Sequence, residues 1–162
     1  MNIAKAIATT CPDAFILVVT NPVNSLVPMI GEVLKKGGRF SPGKLFGATT
    51  LDAIRASTFT SQATRCWNPP VSVPVVGGHS TNTIIPLFSQ ATVKLSNEDE
   101  VKALTDKVQQ AGEEVIKAKA RGGASKLCIA YAAARYVSMV RVFNRQIRFL
   151  CLKSSSRRRG NR

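Results

Sequence analysis

Ala14-Phe15-Ile16-Leu17-Val18-Val19-Thr20-Asn21-Pro22 decides the fold class of this 162-residue chain. Residues 14–20 run apolar until the closing threonine. A strand of that pattern is buried on both faces, as in a parallel sheet with helices above and below. Asn21-Pro22 ends it, because proline cannot continue a central strand and holds the preceding residue extended. Val23, Leu26, Val27, Ile30, Val33 and Leu34 then recur at helical spacing. Lys35-Lys36 suit the negative end of the helix dipole, and Gly37-Gly38 stop the helix. Leu45-Phe46-Gly47 reads as a second strand. Thr49 or Thr50 reads as the cap of a helix through Leu51, Ile54, Ala56 and Phe59. Residues 14–60 are therefore a strand–helix–strand–helix unit, the mark of an α/β protein.

Further along, residues 65–72 hold Cys66, Trp67 and Pro69-Pro70 and read as a loop. Val71 to Val76 is a strand ended by Gly77-Gly78, and Thr83 to Phe88 pairs with it as a hairpin across residues 77–82. Ser96 with Asp99 suggests a capping box for a helix over 96–121. Val101, Leu104, Val108, Ala111, Val115 and Ala118 give that helix one apolar stripe. Acids sit at its start, Lys117, Lys119 and Arg121 at its end, and Gly122-Gly123 close it. An alanine-rich helix covers 124–142. Residues 153–162 contain only Lys, Ser, Arg, Gly and Asn and are expected to be disordered.

Composition narrows the function classes. The length suits one domain with a real core, and 44% hydrophobic residues excludes wholesale disorder. No apolar run approaches the ~20 residues of a spanning helix. The first ten residues lack the form of a secretory signal. The net charge is +14, and residues 141–162 carry Arg141, Arg145, Arg148, Lys153, Arg157, Arg158, Arg159 and Arg162 without an acid. The basic excess is thus concentrated in a tail, which leaves the function in the domain. Four dispersed cysteines without a C-x-x-C pair, and a single histidine, disfavour a structural zinc site; the thiols are expected to be reduced.

Three places could carry chemistry. Asn21 stands where ligands bind in open α/β sheets, beyond a strand's carboxyl end, and offers an amide donor and acceptor; the plain alternative is an Asn-Pro turn. Asp52 and Arg55 are three apart on one helix face. They form either a simple ion pair or a pair with separate tasks, an acid that orients a base and a guanidinium fork for a carboxylate. His79 follows Gly77-Gly78 at a strand end, where small residues admit a ligand and an imidazole can shuttle a proton. Asp52 is the candidate partner for it.

Three segments, in order and spacing, resemble the malate dehydrogenase family in its mitochondrial and bacterial branch. They are Thr20-Asn21-Pro22-Val23-Asn24-Ser25, Gly47-Ala48-Thr49-Thr50-Leu51-Asp52-Ala53-Ile54-Arg55, and Val73-Pro74-Val75-Val76-Gly77-Gly78-His79-Ser80. Thr83-Ile84-Ile85-Pro86-Leu87 and Glu114-Val115-Ile116-Lys117-Ala118-Lys119 extend the likeness, which covers residues 2–140. The resemblance implies an oxidoreductase that moves a hydride between L-malate and NAD, giving oxaloacetate. His79 would be the proton acceptor and Asp52 its partner. Arg55 and Asn21 would bind substrate, and Val19, Thr20 and Asn21 would line the cofactor path; no metal is implied. Residues 2–13 would be the helix before the family's fourth strand. Residues 1–48 would then be part of a Rossmann NAD-binding domain, 49–140 part of the catalytic domain, and 141–162 a basic tail. The family implies a homodimer acting on a small-molecule substrate, and an intracellular setting of mitochondrial, peroxisomal or glycosomal origin, with the cytoplasm as a further one.

The chain also departs from the family. It contains no G-x-G-x-x-G, so the pyrophosphate turn and first βαβ units are expected to be absent, as in a piece truncated at both ends. Such a sheet would expose an unpaired edge and an uncovered apolar face, and poor stability or aggregation is expected unless another chain covers it. Thr81 replaces the family's glycine, Ile129 its nicotinamide-contacting methionine, and Cys128 a neighbouring serine. The alternative function is a non-enzymatic module that binds nucleic acid or an anionic surface through the tail.

Overall fold

A computed structural model describes residues 2–120, 122, 123 and 125–157, with side chains as far as Val142. Among these described residues, five helices and four short strands follow in order: α1 (Asn2–Thr10), β1 (Ile16–Val18), α2 (Val23–Lys36), β2 (Leu45–Gly47), α3 (Thr50–Thr64), β3 (Val75–Gly77), β4 (Ile84–Pro86), α4 (Glu98–Ala118) and α5 (Lys126–Arg157). Single 3-10 turns precede β2 and β4, and a third follows β4. β1 and β2 pair in parallel, with Ile16 opposite Leu45 and Val18 opposite Gly47. α2 is the crossover between them. Gly47 is required at the end of β2, because a Cβ there would lie 2.7 Å from Val23 of α2. β3 and β4 form the expected antiparallel hairpin, Val75 opposite Pro86 and Gly77 opposite Ile84.

The core lies between this hairpin and the pair α3–α4. Ala56 of α3, Val71, Val73, Ile84 and Phe88 of the hairpin, and Leu104 and Val108 of α4 make one buried cluster. The α4 stripe read from spacing is thus the face that packs from Val101 to Ala111, whereas Ala118 at its end is exposed. α5 closes the other side, laying Tyr136 against Phe46 of β2 with ring centroids 5.4 Å apart.

Several boundaries differ from the sequence reading, each for a local reason. β1 is three residues rather than seven, since among the described residues only β2 supplies a ladder to it. The strand over 71–76 enters a ladder only from Val75. Pro70 and Pro74 have no N–H to give, so upstream contact is reduced to scattered bonds such as Thr92 N–H to the Ser72 carbonyl, 3.1 Å. The cap of α4 is Asn97, not Ser96: its Oδ1 accepts the Glu100 N–H at 2.8 Å, and the Glu100 carboxylate accepts the Ser96 N–H at 2.9 Å. Thr49 stands at the cap of α3 without a side-chain capping bond. α3 runs on to Thr64 and ends where Arg65 turns left-handed. α4 stops at Ala118, with Ala120 rather than a glycine at positive φ.

α5 continues to Arg157, past the end drawn at 142 and into the stretch expected to be disordered. No proline or glycine interrupts residues 126–157, so nothing local breaks the helix there. Residues 158–162 lie outside the described residues. So do the side chains beyond Val142, and with them every basic charge of the nucleic-acid alternative except Arg141. Among the described residues no helix is long and apolar enough to cross a membrane. Cys11, Cys66 and Cys128 are free thiols.

Candidate active site

Asp52 lies in the first turn of α3 and is 1% exposed. Its buried carboxylate needs a partner, and the hairpin turn supplies one. His79 follows β3, and its Nδ1 meets Asp52 Oδ2 at 2.5 Å. That contact leaves Nε2 as the free ring nitrogen. The His79 side chain is 15% exposed, open enough to meet a small molecule. The hydrogen bond to Asp52 raises the His79 pKa above its ordinary 6.5; burial works against this, the Asp52 charge adds to it, and Arg55 lowers it.

The pH dependence follows from that direction. A raised folded-state pKa contributes stability fully below 6.5, which is lost as pH rises through the folded value. In Asp52→Asn the raising charge is gone while burial and Arg55 remain. The His79 pKa should drop to or below 6.5, and the stability decline above neutrality should vanish. Ring titration by NMR with urea midpoints across neutral pH reads both. An unchanged His79 titration would refute the pairing.

Arg55, one turn along α3 from Asp52, is 14% exposed. Its Nη1 stands 3.9 Å from Asp52 Oδ1, too far for a hydrogen bond, and that oxygen is buried without one. Nη2 donates to Ser125 Oγ at 3.2 Å, ahead of α5. The pair is therefore not a closed intrahelical ion pair, and Arg55 retains donors for a ligand. A cavity of about 280 Å³ is lined by Val19, Asn21, Asp52, Arg55 and His79 together. Of the six site residues named from sequence, Thr20 is the one not in this lining.

Thr81, noted in the sequence as a departure, also lines the cavity, as do Ile129, Gln109, Glu113 and Ser125. Cys128 instead faces a second groove between α3, α4 and α5. Gln109 and Ser125 carried no signal. Gln109 sits beside the apolar stripe of α4, and only the packed structure shows its Nε2 donating to the Ile84 carbonyl at 2.8 Å. Ser125 is seventy positions from Arg55.

A cavity of this volume is at the small end of ligand sites, suited to a short dicarboxylate and one ring rather than a whole dinucleotide. Val19 and the Asn21 carboxamide could meet the nicotinamide end of NAD. The sequence holds no G-x-G-x-x-G, the turn that cradles a pyrophosphate at a helix start. The fit of these residues to NAD is therefore limited to that end.

Comparison with known proteins gives these residues a context. Residues 49–149 match the lactate/malate dehydrogenase, alpha/beta C-terminal domain. Mitochondrial malate dehydrogenase of Pongo abelii is 49% identical over 145 residues, covering 88% of this chain and 43% of that protein. Chloroplastic malate dehydrogenase of Arabidopsis thaliana is 49% identical over 137 residues, covering 84% and 34%. The solved malate dehydrogenase of Cryptosporidium parvum superposes with a TM-score of 0.74 at 25% identity, over 85% of this chain and 46% of that one. The chain spans less than half the length of these relatives. With its helix-borne acid–arginine pair, its hairpin histidine and this match over most of its length, the chain belongs to the lactate/malate dehydrogenase family.

Proposed function

We propose that the chain supplies the proton-transfer and carboxylate-binding part of an NAD-dependent malate dehydrogenase, which interconverts L-malate and oxaloacetate. The observation that carries this is the His79–Asp52 contact opening on a cavity that Arg55 shares. Nε2 of His79 takes the proton of the malate C2 hydroxyl. Asp52 holds the Nδ1 proton and stabilises the imidazolium that forms. Arg55 grips a substrate carboxylate through its planar fork. Asn21 donates a hydrogen bond to the substrate oxygen at the nicotinamide side of the cavity. NAD, when bound, supplies the acceptor for the hydride leaving C2. In the reverse direction His79 returns the proton to the carbonyl oxygen of oxaloacetate.

The names of the sequence relatives favour malate over lactate, whereas solved lactate dehydrogenases superpose about as well, one from Cryptosporidium parvum with a TM-score of 0.73. The mitochondrial and chloroplastic relatives support an organellar setting, and a homodimer is the assembly expected of the family. The test is NADH oxidation by the purified chain, with folding checked by cooperative urea unfolding. Oxidation that depends on oxaloacetate and is faster than with pyruvate is expected. A folded chain without oxaloacetate-dependent oxidation refutes the activity for this chain, and preference for pyruvate moves the assignment to lactate.

A further inference from the structure

Asp52 holds the ring of His79, but the main chain that carries the ring is held from another side. Asn24 lies in the first turn of α2, three residues past Asn21. Its Oδ1 accepts the His79 N–H at 3.1 Å, across 55 positions of sequence. The neighbouring N–H groups are used inside the hairpin turn: Gly78 donates to the Thr83 carbonyl at 2.9 Å, and Ser80 to Thr83 Oγ1 at 3.1 Å. The His79 N–H between them points away from the turn and is met by Asn24. The approach is close. A Cβ on Gly78 would lie 2.7 Å from Asn24 Nδ2 and 2.6 Å from Thr83 Oγ1. The second glycine of Gly77-Gly78 thus makes room for the Asn24 carboxamide.

We propose that Asn24 is a positioning residue for His79, fixing the main chain of the proton acceptor to the segment that carries Asn21. The bond sets two elements in register at the cavity: the turn after β1 and the turn after β3. Asp52 alone would leave the imidazole free to swing with its loop. Two anchors, one on the ring and one on the backbone, define where Nε2 stands. The consequence for turnover rests on the dehydrogenase reading above; the anchoring itself does not.

His79 is the only histidine of the chain, so its ring and amide are read without ambiguity. In Asn24→Ala, exchange of the His79 amide should quicken about five- to tenfold, the loss of one modest hydrogen bond. The His79 titration, which Asp52 and Arg55 of α3 set from the ring side, should move toward 6.5 as the ring leaves its acid. Asn24→Asp keeps the acceptor oxygen and should restore amide protection. Protection of Gly78 should stay unchanged in both variants. Unchanged exchange and titration in Asn24→Ala would overturn the proposal. So would equal loss of protection at Gly78 and at Leu87, whose N–H donates to the Pro74 carbonyl at 2.8 Å, since that would mark a role in the fold rather than at His79. In the oxaloacetate assay, Asn24→Ala should lower kcat about tenfold with KM held, because a misplaced group costs rate while the Arg55 grip remains. NMR effects without turnover in the unaltered chain would retain the anchor and reject the dehydrogenase; turnover with no NMR effect would do the reverse.

Discussion

On the proposed dehydrogenase reading, His79→Asn should lower oxaloacetate reduction about 10²- to 10⁴-fold, the range expected when a positioned acid–base group is lost. Asparagine is close in size and can still donate to Asp52, so the buried carboxylate keeps a partner and the hairpin should fold. What it lacks is a nitrogen that takes up and returns a proton near neutral pH. KM should change far less, because Arg55 and Asn21 are untouched. The measurement is steady-state NADH oxidation in both proteins, with amide spectra to confirm a common fold. A loss below tenfold would place proton transfer elsewhere, and Glu113, which lines the same cavity, would then be the group to examine.

Gly77→Ala should cost about 3 kcal/mol or more of stability, combining a strained backbone with a steric clash. Gly77 has φ +86, which alanine rarely adopts, and its Cβ would stand 2.2 Å from the Thr83 carbonyl oxygen. That oxygen accepts the Gly78 N–H, so the clash cannot be relieved without opening the turn. Opening it moves His79, two residues on, and activity should fall with stability. Gly38→Ala is the control: φ there is +66, but no atom lies within 4 Å of the added carbon. It should cost only about 1 kcal/mol, the strain alone. Urea midpoints of the two variants give the comparison, and equal losses would refute the steric argument.

Elements with a strong period were legible before any coordinates. The stripe Leu104, Val108, Ala111 is what α4 buries, because a 3.6-residue repeat leaves one apolar face that must pack somewhere. The α/β class followed from the same kind of repeat, an apolar run, a breaker and a helical pattern. Boundaries were less legible. Asn97 and Ser96 are both acceptable caps, and only backbone angles choose between them. The strand at 71–76 looked continuous because composition reports β-preference, whereas a ladder needs donors that Pro70 and Pro74 lack.

The site divides in the same way. Asp52, Arg55, His79 and Asn21 could be nominated from residue type, local spacing and likeness to a family. Their separate tasks stood there only as one of two alternatives for Asp52 and Arg55, or as what the family likeness implied. An Asp and an Arg three apart read equally as an ion pair, until the structure gives Asp52 to His79 and Arg55 to Ser125. Asn24 lay inside a quoted motif without a role, and Ser125 and Gln109 had no signal. By itself, then, the sequence determined the α/β class, the packing face of α4, the family and the chemical types at the site, since these depend on local periodicity and on which residues are present. Tertiary structure alone decided who partners whom, because those contacts join residues 27, 55 and 70 positions apart. Sequence spacing carries no distance at such range; the packing of helices against the hairpin does.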